Sequence, residues 1–239
     1  MIKPRVITTW PEQTSGVFTS LLRSKGVEVR SMPLTDIVES PYVFEQPIEK
    51  YDWIVFTSKN GVKYFWQNQT KHKRNKIAVI GAGTASAFEG LPFKPDFAGS
   101  GQSGQQFANE LKAVLKPGQN LLLVLGNRAP GVLEDAFKED FFVERINVYA
   151  TVKIPEVDRE VLTLVEENAY DVIVVSSPSA VQHLSELTEK RQPTDIRMVS
   201  IGQTTTGAAL ESGFSPLATA DPPGYDNLAR CVLQQLGII

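Results

Sequence analysis

Short apolar runs recur along the chain, and each is followed by small or polar residues. The runs are rich in Val and Ile and cover residues 6–9, 53–56, 77–80, 121–125, 172–175 and 198–201. Continuous runs of this length are typical of strands that are buried on both faces, as in a parallel sheet. The pattern therefore predicts a strand at each of these places.

The segments between the runs have helical spacing. One stripe of a predicted helix carries Val17, Phe18, Leu21 and Leu22. A second stripe is predicted from Phe107, Leu111 and Leu115. Because strand, turn and helix alternate, we expect an α/β fold built on parallel sheets.

The two halves of the chain resemble each other. Residues 54–62 align without gaps on residues 173–181, and residues 80–85 align on residues 201–206. One period that occurs twice is not a solenoid; it indicates two similar α/β units, each about the size of a small domain. A cleft between two such domains is a favoured ligand site.

Composition narrows the possible ligands and locations. A chain of 239 residues suits one large or two small domains, and the proline-containing segments 39–47 and 152–156 are candidate linkers. The net charge of −3 gives no overall attraction to nucleic acid or anionic membranes. The basic run at residues 71–76 is either a local anion patch or, more often, a solvated turn. Without an apolar signal core or a membrane-length apolar run, we expect a cytoplasmic protein.

Cysteine and histidine offer little chemistry. Cys231 is the only cysteine, which excludes an internal disulfide and a thiolate cluster within one chain. It is either a reactive thiol or, more often, a small apolar residue on a C-terminal helix. His72 and His183 lie on different segments without ligand-like spacing. We therefore expect no metal site.

The turns after the predicted strands are the most informative places. In open parallel sheets, ligands bind outside the carboxyl ends of the strands, where helix N-termini present free N–H groups. Hydroxyl or glycine residues occupy these turns in both halves: Thr57, Ser58, Gly81, Thr84, Ser177, Gly202 and Thr205. They either only cap their helices or form two matched walls that bind an anionic ligand.

Two further features allow more than one interpretation. The run Gly81-Ala82-Gly83 is a weak dinucleotide motif, because Ser86 stands at the third glycine and Gly101 where an acidic residue should bind the ribose. Tyr149 ends an extended segment before the second linker. It either packs with one hydrogen bond or presents its hydroxyl to a ligand as a weak acid or donor.

The motifs together resemble those of the uroporphyrinogen-III synthases, in order and across nearly the whole chain. The similar segments are residues 9–12, 52–62, 78–85, 148–149, 176–181, 201–205 and 210–214. The resemblance implies two similar, doubly wound parallel-sheet domains joined by two extended linkers, with a ligand cleft between them. Domain one would combine residues 1–35 and 154–239, and domain two would be the inserted residues 40–149.

The resemblance also implies a reaction. The substrate would be hydroxymethylbilane, a polycarboxylate received from hydroxymethylbilane synthase. Loss of its terminal hydroxyl gives an azafulvene, and attack at the substituted carbon of the last ring gives a spiro intermediate, which recombines to the type III isomer. Such a lyase needs no cofactor or metal and acts mainly by positioning and by excluding water. We expect a monomer without nucleic-acid or membrane partners.

Residue roles follow from the resemblance alone. Tyr149 would assist departure of the hydroxyl, and the seven turn residues named above would bind carboxylates. Many bacterial members have an Arg where this chain has Trp10. Arg5, Lys59 or Arg128 could replace that cation. The segment 125–128 also lacks part of the usual Arg-Gly-Asp-like run.

Other functions share some of these features. A two-domain solute-binding protein would have the same parallel sheets and cleft, but it is disfavoured by the missing signal peptide and by the order of the turns. A nucleotide-using enzyme is disfavoured by the incomplete glycine motif. A regulatory protein of the same fold that has lost activity remains an alternative.

Overall fold

Each predicted strand is present in the computed structural model, which describes residues 3–70, 72, 74–101, 103–188 and 195–239. The first part of the chain contains β1 (Arg5–Thr8), α1 (Gly16–Ser24), β2 (Glu28–Ser31), β3 (Thr35–Glu39), β4 (Trp53–Phe56), α2 (Lys59–Asn68), β5 (Lys76–Val79), α3 (Ala82–Ala85), β6 (Phe97–Ala98) and α4 (Gly104–Lys112). The second part contains β7 (Asn120–Gly126), α5 (Val132–Phe137), β8 (Phe142–Lys153), α6 (Arg159–Glu166), β9 (Val172–Val175), α7 (Pro178–Leu187), β10 (Met198–Ser200), α8 (Gln203–Glu211), β11 (Ala218–Thr219) and α9 (Tyr225–Gln235).

The chain folds into two compact units. Unit 1 comprises residues 1–36 and 152–239, and unit 2 comprises residues 37–151. Over the described residues, unit 1 has a five-stranded sheet in the order β11-β10-β9-β1-β2. Unit 2 has a six-stranded sheet in the order β3-β8-β7-β4-β5-β6. All four strand pairs of unit 1 are parallel, as are the pairs that join β8, β7, β4, β5 and β6 in unit 2, which confirms the predicted α/β class.

Both faces of each sheet are covered, as the continuous apolar runs predict. In β9 of unit 1, Ile173 and Val175 belong to one core cluster, and Val172 and Val174 belong to another. Successive side chains of a strand point to opposite faces, so one strand contributes to two cores. The strands of unit 2 are likewise divided between two clusters.

One of the two predicted helix stripes is wrong at a single residue, and the other extends past the end of its helix. Val17 is 61% exposed, whereas Phe18 and Leu22 are fully buried. Val17 and Phe18 are about 100° apart around the helix, so the stripe that faces the core passes through only one of them. In the second predicted stripe, α4 ends at Lys112, but Leu115 packs against the same core cluster as Phe107 and Leu111. The stripe continues into the turn after the helix, where the Leu115 N–H donates to the carbonyl oxygen of Leu111 at 3.1 Å.

The longest strand is not among the predicted runs. Residues of β8 alternate between buried and partly exposed, so the strand has no continuous apolar stretch. Its pairing with β7 contains a β-bulge, since Leu125 pairs with Asn147 but the next residue, Gly126, pairs with Tyr149. Val148 is thereby skipped, and both Val148 and Tyr149 pack against the same core cluster. In a regular strand, Tyr149 would point to the face opposite Val148. The bulge instead directs both side chains to the same face.

Several single residues have structural roles. Cys231 lies on α9 beside the core of unit 1, and burial raises the pKa of its thiol. In the basic run, Lys71 and Lys73 lie outside the described residues. Asn75 of the same run is buried and donates to the carbonyl oxygens of Ile48 (3.0 Å) and Tyr51 (2.6 Å). Within the described ranges, no helix is long and apolar enough to cross a membrane.

Candidate active site

The carboxyl ends of four strands in unit 2 surround a cavity of about 360 Å³. Its polar lining is supplied by Thr57, Ser58, Arg128, Tyr149 and Thr151. Its apolar lining includes Ile80, Leu125, Val132 and Leu133. Since parallel strands end at the same edge of a sheet, turns that are far apart in sequence meet here. The cavity can hold a ring-sized group on an apolar floor with hydroxyls and one cation at its wall.

Ser58 contacts both α2 and Tyr149, the residue predicted to act as a weak acid. Its Oγ caps α2 by accepting a hydrogen bond from the Gly61 N–H at 3.0 Å. The same oxygen lies 3.0 Å from Oη of Tyr149. The capping role and the functional role predicted for Ser58 are therefore compatible in one side chain.

Tyr149 is held closely by its surroundings. A Cβ added at Gly126 would lie 2.4–2.8 Å from atoms of the Tyr149 ring, so only glycine leaves room for the ring. The Asn127 N–H donates to the carbonyl oxygen of Tyr149 at 3.1 Å. The Tyr64 ring stacks on the Tyr149 ring, with 6.2 Å between the centroids. Sequence reasoning missed Gly126, although a Gly-Asn pair directly after an apolar run was available as a signal.

Gly81 and Thr84 lie at the turn after β5 and do not appear in the lining of the cavity. Gly81 has extended backbone that any residue can adopt, but a Cβ there would lie 2.6 Å from Cα of Gly101. Its glycine is thus required by the close approach of a second chain segment. Thr84 is only 6% exposed, and its N–H donates to the Gly81 carbonyl oxygen at 3.0 Å.

The corresponding turns of unit 1 are built in the same way. Ser177 caps α7 by accepting from the Ala180 N–H at 3.2 Å, and its Oγ lies 3.1 Å from Oγ of Ser179. At the next turn, a Cβ on Gly202 would lie 3.1 Å from Pro223. Thr205 is 3% exposed. Ser177 and Gly202 therefore lie at strand ends of unit 1 and have evident structural roles, while Thr205 lies in the first turn of α8.

The first strand end of unit 1 is apolar. Trp10 is 4% exposed and meets Phe18 and Tyr225 edge to face, with ring centroids at 5.4 and 5.3 Å. Burial raises the pKa of Tyr225, and a hydrogen bond from Ser176 acts in the opposite direction. Arg5 does not replace the missing cation, because it lies at the amino end of β1 and bonds Glu28 at 3.0 Å. Of the three candidate cations, Arg128 is the one that lines the cavity.

These features define a class: two α/β units, each built on a mainly parallel sheet, with hydroxyl residues at the strand ends and, among the described residues, no nucleotide-type glycine loop. The family model described as uroporphyrinogen-III synthase HemD matches residues 16–230. The chain belongs to the uroporphyrinogen-III synthase family.

Individual relatives agree with this assignment. The chloroplastic uroporphyrinogen-III synthase of Oryza sativa subsp. japonica is 26% identical over 246 aligned positions, which cover 98% of this chain and 81% of the relative. Among solved structures, a mutant uroporphyrinogen III synthase of Thermus thermophilus has a TM-score of 0.65 at 18% identity and covers 98% of this chain and 99% of its own. The uroporphyrinogen-III synthetase of Helicobacter pylori has the same TM-score at 17% identity, with 97% and 99% covered. At such identities the solved structures establish the fold.

Proposed function

We propose that this protein converts hydroxymethylbilane to uroporphyrinogen III, with loss of water and inversion of the last pyrrole ring. The observation that carries the proposal is the Tyr149 hydroxyl, held 3.0 Å from Ser58 at a strand-end cavity of a synthase-family chain. A hydroxyl at this position is suited to assist the departure of another hydroxyl, which is the first step of the reaction.

The hydrogen bonds at Ser58 favour Tyr149 as a donor to substrate. Ser58 Oγ already accepts the Gly61 N–H, so its own hydrogen can be donated to the oxygen of Tyr149. The hydrogen of Tyr149 is then available for the leaving hydroxyl of the substrate. The C–O bond breaks, the hydroxyl leaves as water with a proton from Tyr149, and the pyrrole N–H releases a proton that restores the Tyr149 hydroxyl, which leaves a neutral azafulvene. A weak, positioned acid suffices for a reaction that also runs unaided with the wrong ring orientation.

The apolar lining supports the second half of the reaction. Leu125, Val132 and Leu133 line the cavity, and a reactive azafulvene next to them is shielded from attack by water. The volume of about 360 Å³ is that of one substituted pyrrole and its carboxylate arms, not of four rings. We propose that the reacting ring occupies this cavity.

Carboxylates would be bound by local groups, since the chain as a whole is weakly acidic. Arg128 lines the cavity, and the N-terminus of α2 begins at Ser58 on the same wall. A helix N-terminus and a guanidinium both stabilise a carboxylate. In unit 1, Ser177, Gly202 and Thr205 are proposed as contacts for other carboxylates, as are Gly81 and Thr84 in unit 2.

The direct test supplies purified protein with freshly generated hydroxymethylbilane, oxidises the products and separates the porphyrin isomers by chromatography. Predominantly type III product is the expected result. Type I product alone, formed at the unaided rate, would reject the proposed function and favour a binding or regulatory protein of this fold.

The wider assignments stay predictions. These are the domain bounds 1–35 with 154–239 and 40–149, the ligand cleft between domains, supply of substrate by hydroxymethylbilane synthase, the monomeric state and the cytoplasmic location. Sedimentation of the purified protein with and without substrate would test the monomeric state.

A further inference from the structure

One guanidinium in unit 2 joins several of the segments that surround the cavity. Arg145, on β8, donates from Nη2 to the carbonyl oxygens of Gly126 and Ala129, each at 3.0 Å. Its Nη1 lies 2.5 Å from Oε1 of Glu134 on α5, and its Nε donates to Oδ1 of Asn147 at 3.0 Å. The side chain is only 23% exposed, so these bonds form largely out of water.

The partners of Arg145 are the supports of the cavity wall. Gly126 ends β7 and is the residue whose close approach fixes the Tyr149 ring. Ala129 lines the cavity, and α5 begins with Val132 and Leu133 of its apolar side. A planar group with five donors in a rigid fork can hold such acceptors in one fixed arrangement, which a flexible ammonium cannot.

Hydrogen bonds of Asn127 also hold the loop that follows β7. Asn127 donates its N–H to the carbonyl oxygen of Tyr149 at 3.1 Å, and its Oδ1 accepts the Thr151 N–H at 3.0 Å. These bonds tie the loop to β8 beyond the bulge, while Arg145 ties it to β8 before the bulge. The segment 126–130, called the wall loop here, is therefore fixed on both sides of Tyr149.

We infer that Arg145 is a positioning residue: it fixes the wall loop and the start of α5 against Tyr149. Its kinetic consequence rests on the proposed function, whereas its structural consequence rests on the hydrogen bonds alone. When the wall is loose, the reactive intermediate has room to close directly, without inversion. The type III isomer is then formed more slowly and the type I isomer takes a larger share of the product.

The test compares Arg145→Met with Arg197→Met. Arg197 is a matched control: it precedes β10 in unit 1, is partly buried, and donates to the carbonyl oxygens of Asp171 (2.9 Å) and Tyr170 and to Oδ1 of Asn168 (2.9 Å). We expect Arg145→Met to lower kcat for the type III isomer by about tenfold to a hundredfold, with a smaller change in KM and a larger type I share. Arg197→Met should leave the isomer ratio unchanged.

Conservative replacement gives a second reading if Arg145→Met does not fold. Arg145→Lys keeps the charge but cannot reach the two carbonyl oxygens and Glu134 together. We expect an isomer ratio between those of the wild type and a strongly impaired variant. A wild-type kcat and isomer ratio in either folded Arg145 variant would overturn the inference.

Hydrogen exchange separates this inference from the proposed function. In the substrate-free protein, the Asn127 and Ala129 amides should exchange about tenfold faster in the Arg145 variants and unchanged in Arg197→Met, because only the former release the wall loop. Unchanged exchange would overturn the positioning role. If the wild-type protein made no type III product, the proposed function would be rejected. The exchange rates of the wall loop would still show whether Arg145 fixes that loop.

Discussion

Units 1 and 2 carry the same turn after corresponding strands, yet the two turns have different surroundings. Ser58 and Ser177 each cap a helix, with hydrogen bonds of 3.0 and 3.2 Å from the backbone. The second partner of Ser58 is the Tyr149 hydroxyl beside a cavity, whereas that of Ser177 is Ser179 of its own helix. Both serines cap a helix, but only Ser58 also contacts a candidate catalytic group, because Tyr149 of another strand lies next to it.

The two units differ in the element that places an aromatic residue at the strand end. In unit 2, the bulge in β8 and the bare backbone of Gly126 bring Tyr149 to the strand end. In unit 1, the aromatic group at the first strand end is Trp10, which is buried against Phe18 and Tyr225. We therefore expect chemistry to depend on unit 2, and unit 1 to contribute binding.

The largest effect is expected from Gly126→Ala. The added methyl would lie 2.4–2.8 Å from the Tyr149 ring, so the ring or the wall loop must move. We expect a loss of about 1–3 kcal/mol in the free energy of unfolding from overpacking. Misplacing Tyr149 should also cost about a hundredfold in type III formation. Urea unfolding and the isomer assay measure the two effects.

A glycine of unit 1 provides the control for that substitution. Gly207 lies inside α8, and a Cβ there would have no atom within 4 Å. Gly207→Ala should therefore keep full activity and raise helix stability by up to about 1 kcal/mol. If Gly126→Ala kept full activity, the close packing of Tyr149 against Gly126 would not explain a difference between the two units.

Next in total effect, because it is expected to lower turnover alone, is Tyr149→Phe, paired with Tyr225→Phe in unit 1. We expect the first to lower kcat about a hundredfold with little change in substrate affinity, because the proton donor is lost while the ring stays. Tyr225→Phe removes a hydroxyl that bonds Ser176, with no expected change in kcat. Single-turnover and steady-state kinetics together separate turnover from affinity. An unchanged rate for Tyr149→Phe would reject the acid role.

The two capping serines give a smaller and more selective effect. Ser58→Ala and Ser177→Ala should each lower the free energy of unfolding by about 1 kcal/mol, because each helix loses its N-cap. Only Ser58→Ala should also lower kcat, by about tenfold, since Tyr149 loses a hydrogen-bond partner. Equal kinetic losses in both variants would mean that the two turns contribute alike.

The smallest effect is expected from the buried threonines at corresponding places of the repeat. Thr84 and Thr205 are 6% and 3% exposed, and each donates its N–H to the glycine three residues before it. We expect Thr205→Ala to weaken product binding about fivefold through one lost hydrogen bond, and Thr84→Ala to do the same. Calorimetry with the product measures this, and unaltered affinity would count against the contact.

The fold was largely predictable from the sequence, because strands buried on both faces have a continuous apolar signature. The cavity was less predictable. Strand β8 has an alternating pattern of buried and partly exposed residues and therefore lacks a continuous apolar run. Its bulge is not indicated by the residues around Tyr149. Arg145 could not be singled out either, since its acceptors are mostly backbone carbonyl oxygens that the folded loop brings together.

The connectivity of unit 1 has a consequence for synthesis on the ribosome. Strand β1 pairs with β9, so that Val6 lies beside Val172. At a translation rate of about 5–20 residues per second, the first three elements wait roughly ten seconds or more for that partner. All strands of unit 2 are made in the interval, and they pair among themselves. All strands of unit 2 are therefore synthesised before β1 has its partner β9, and the edge of β1 that pairs with β9 stays open during that interval.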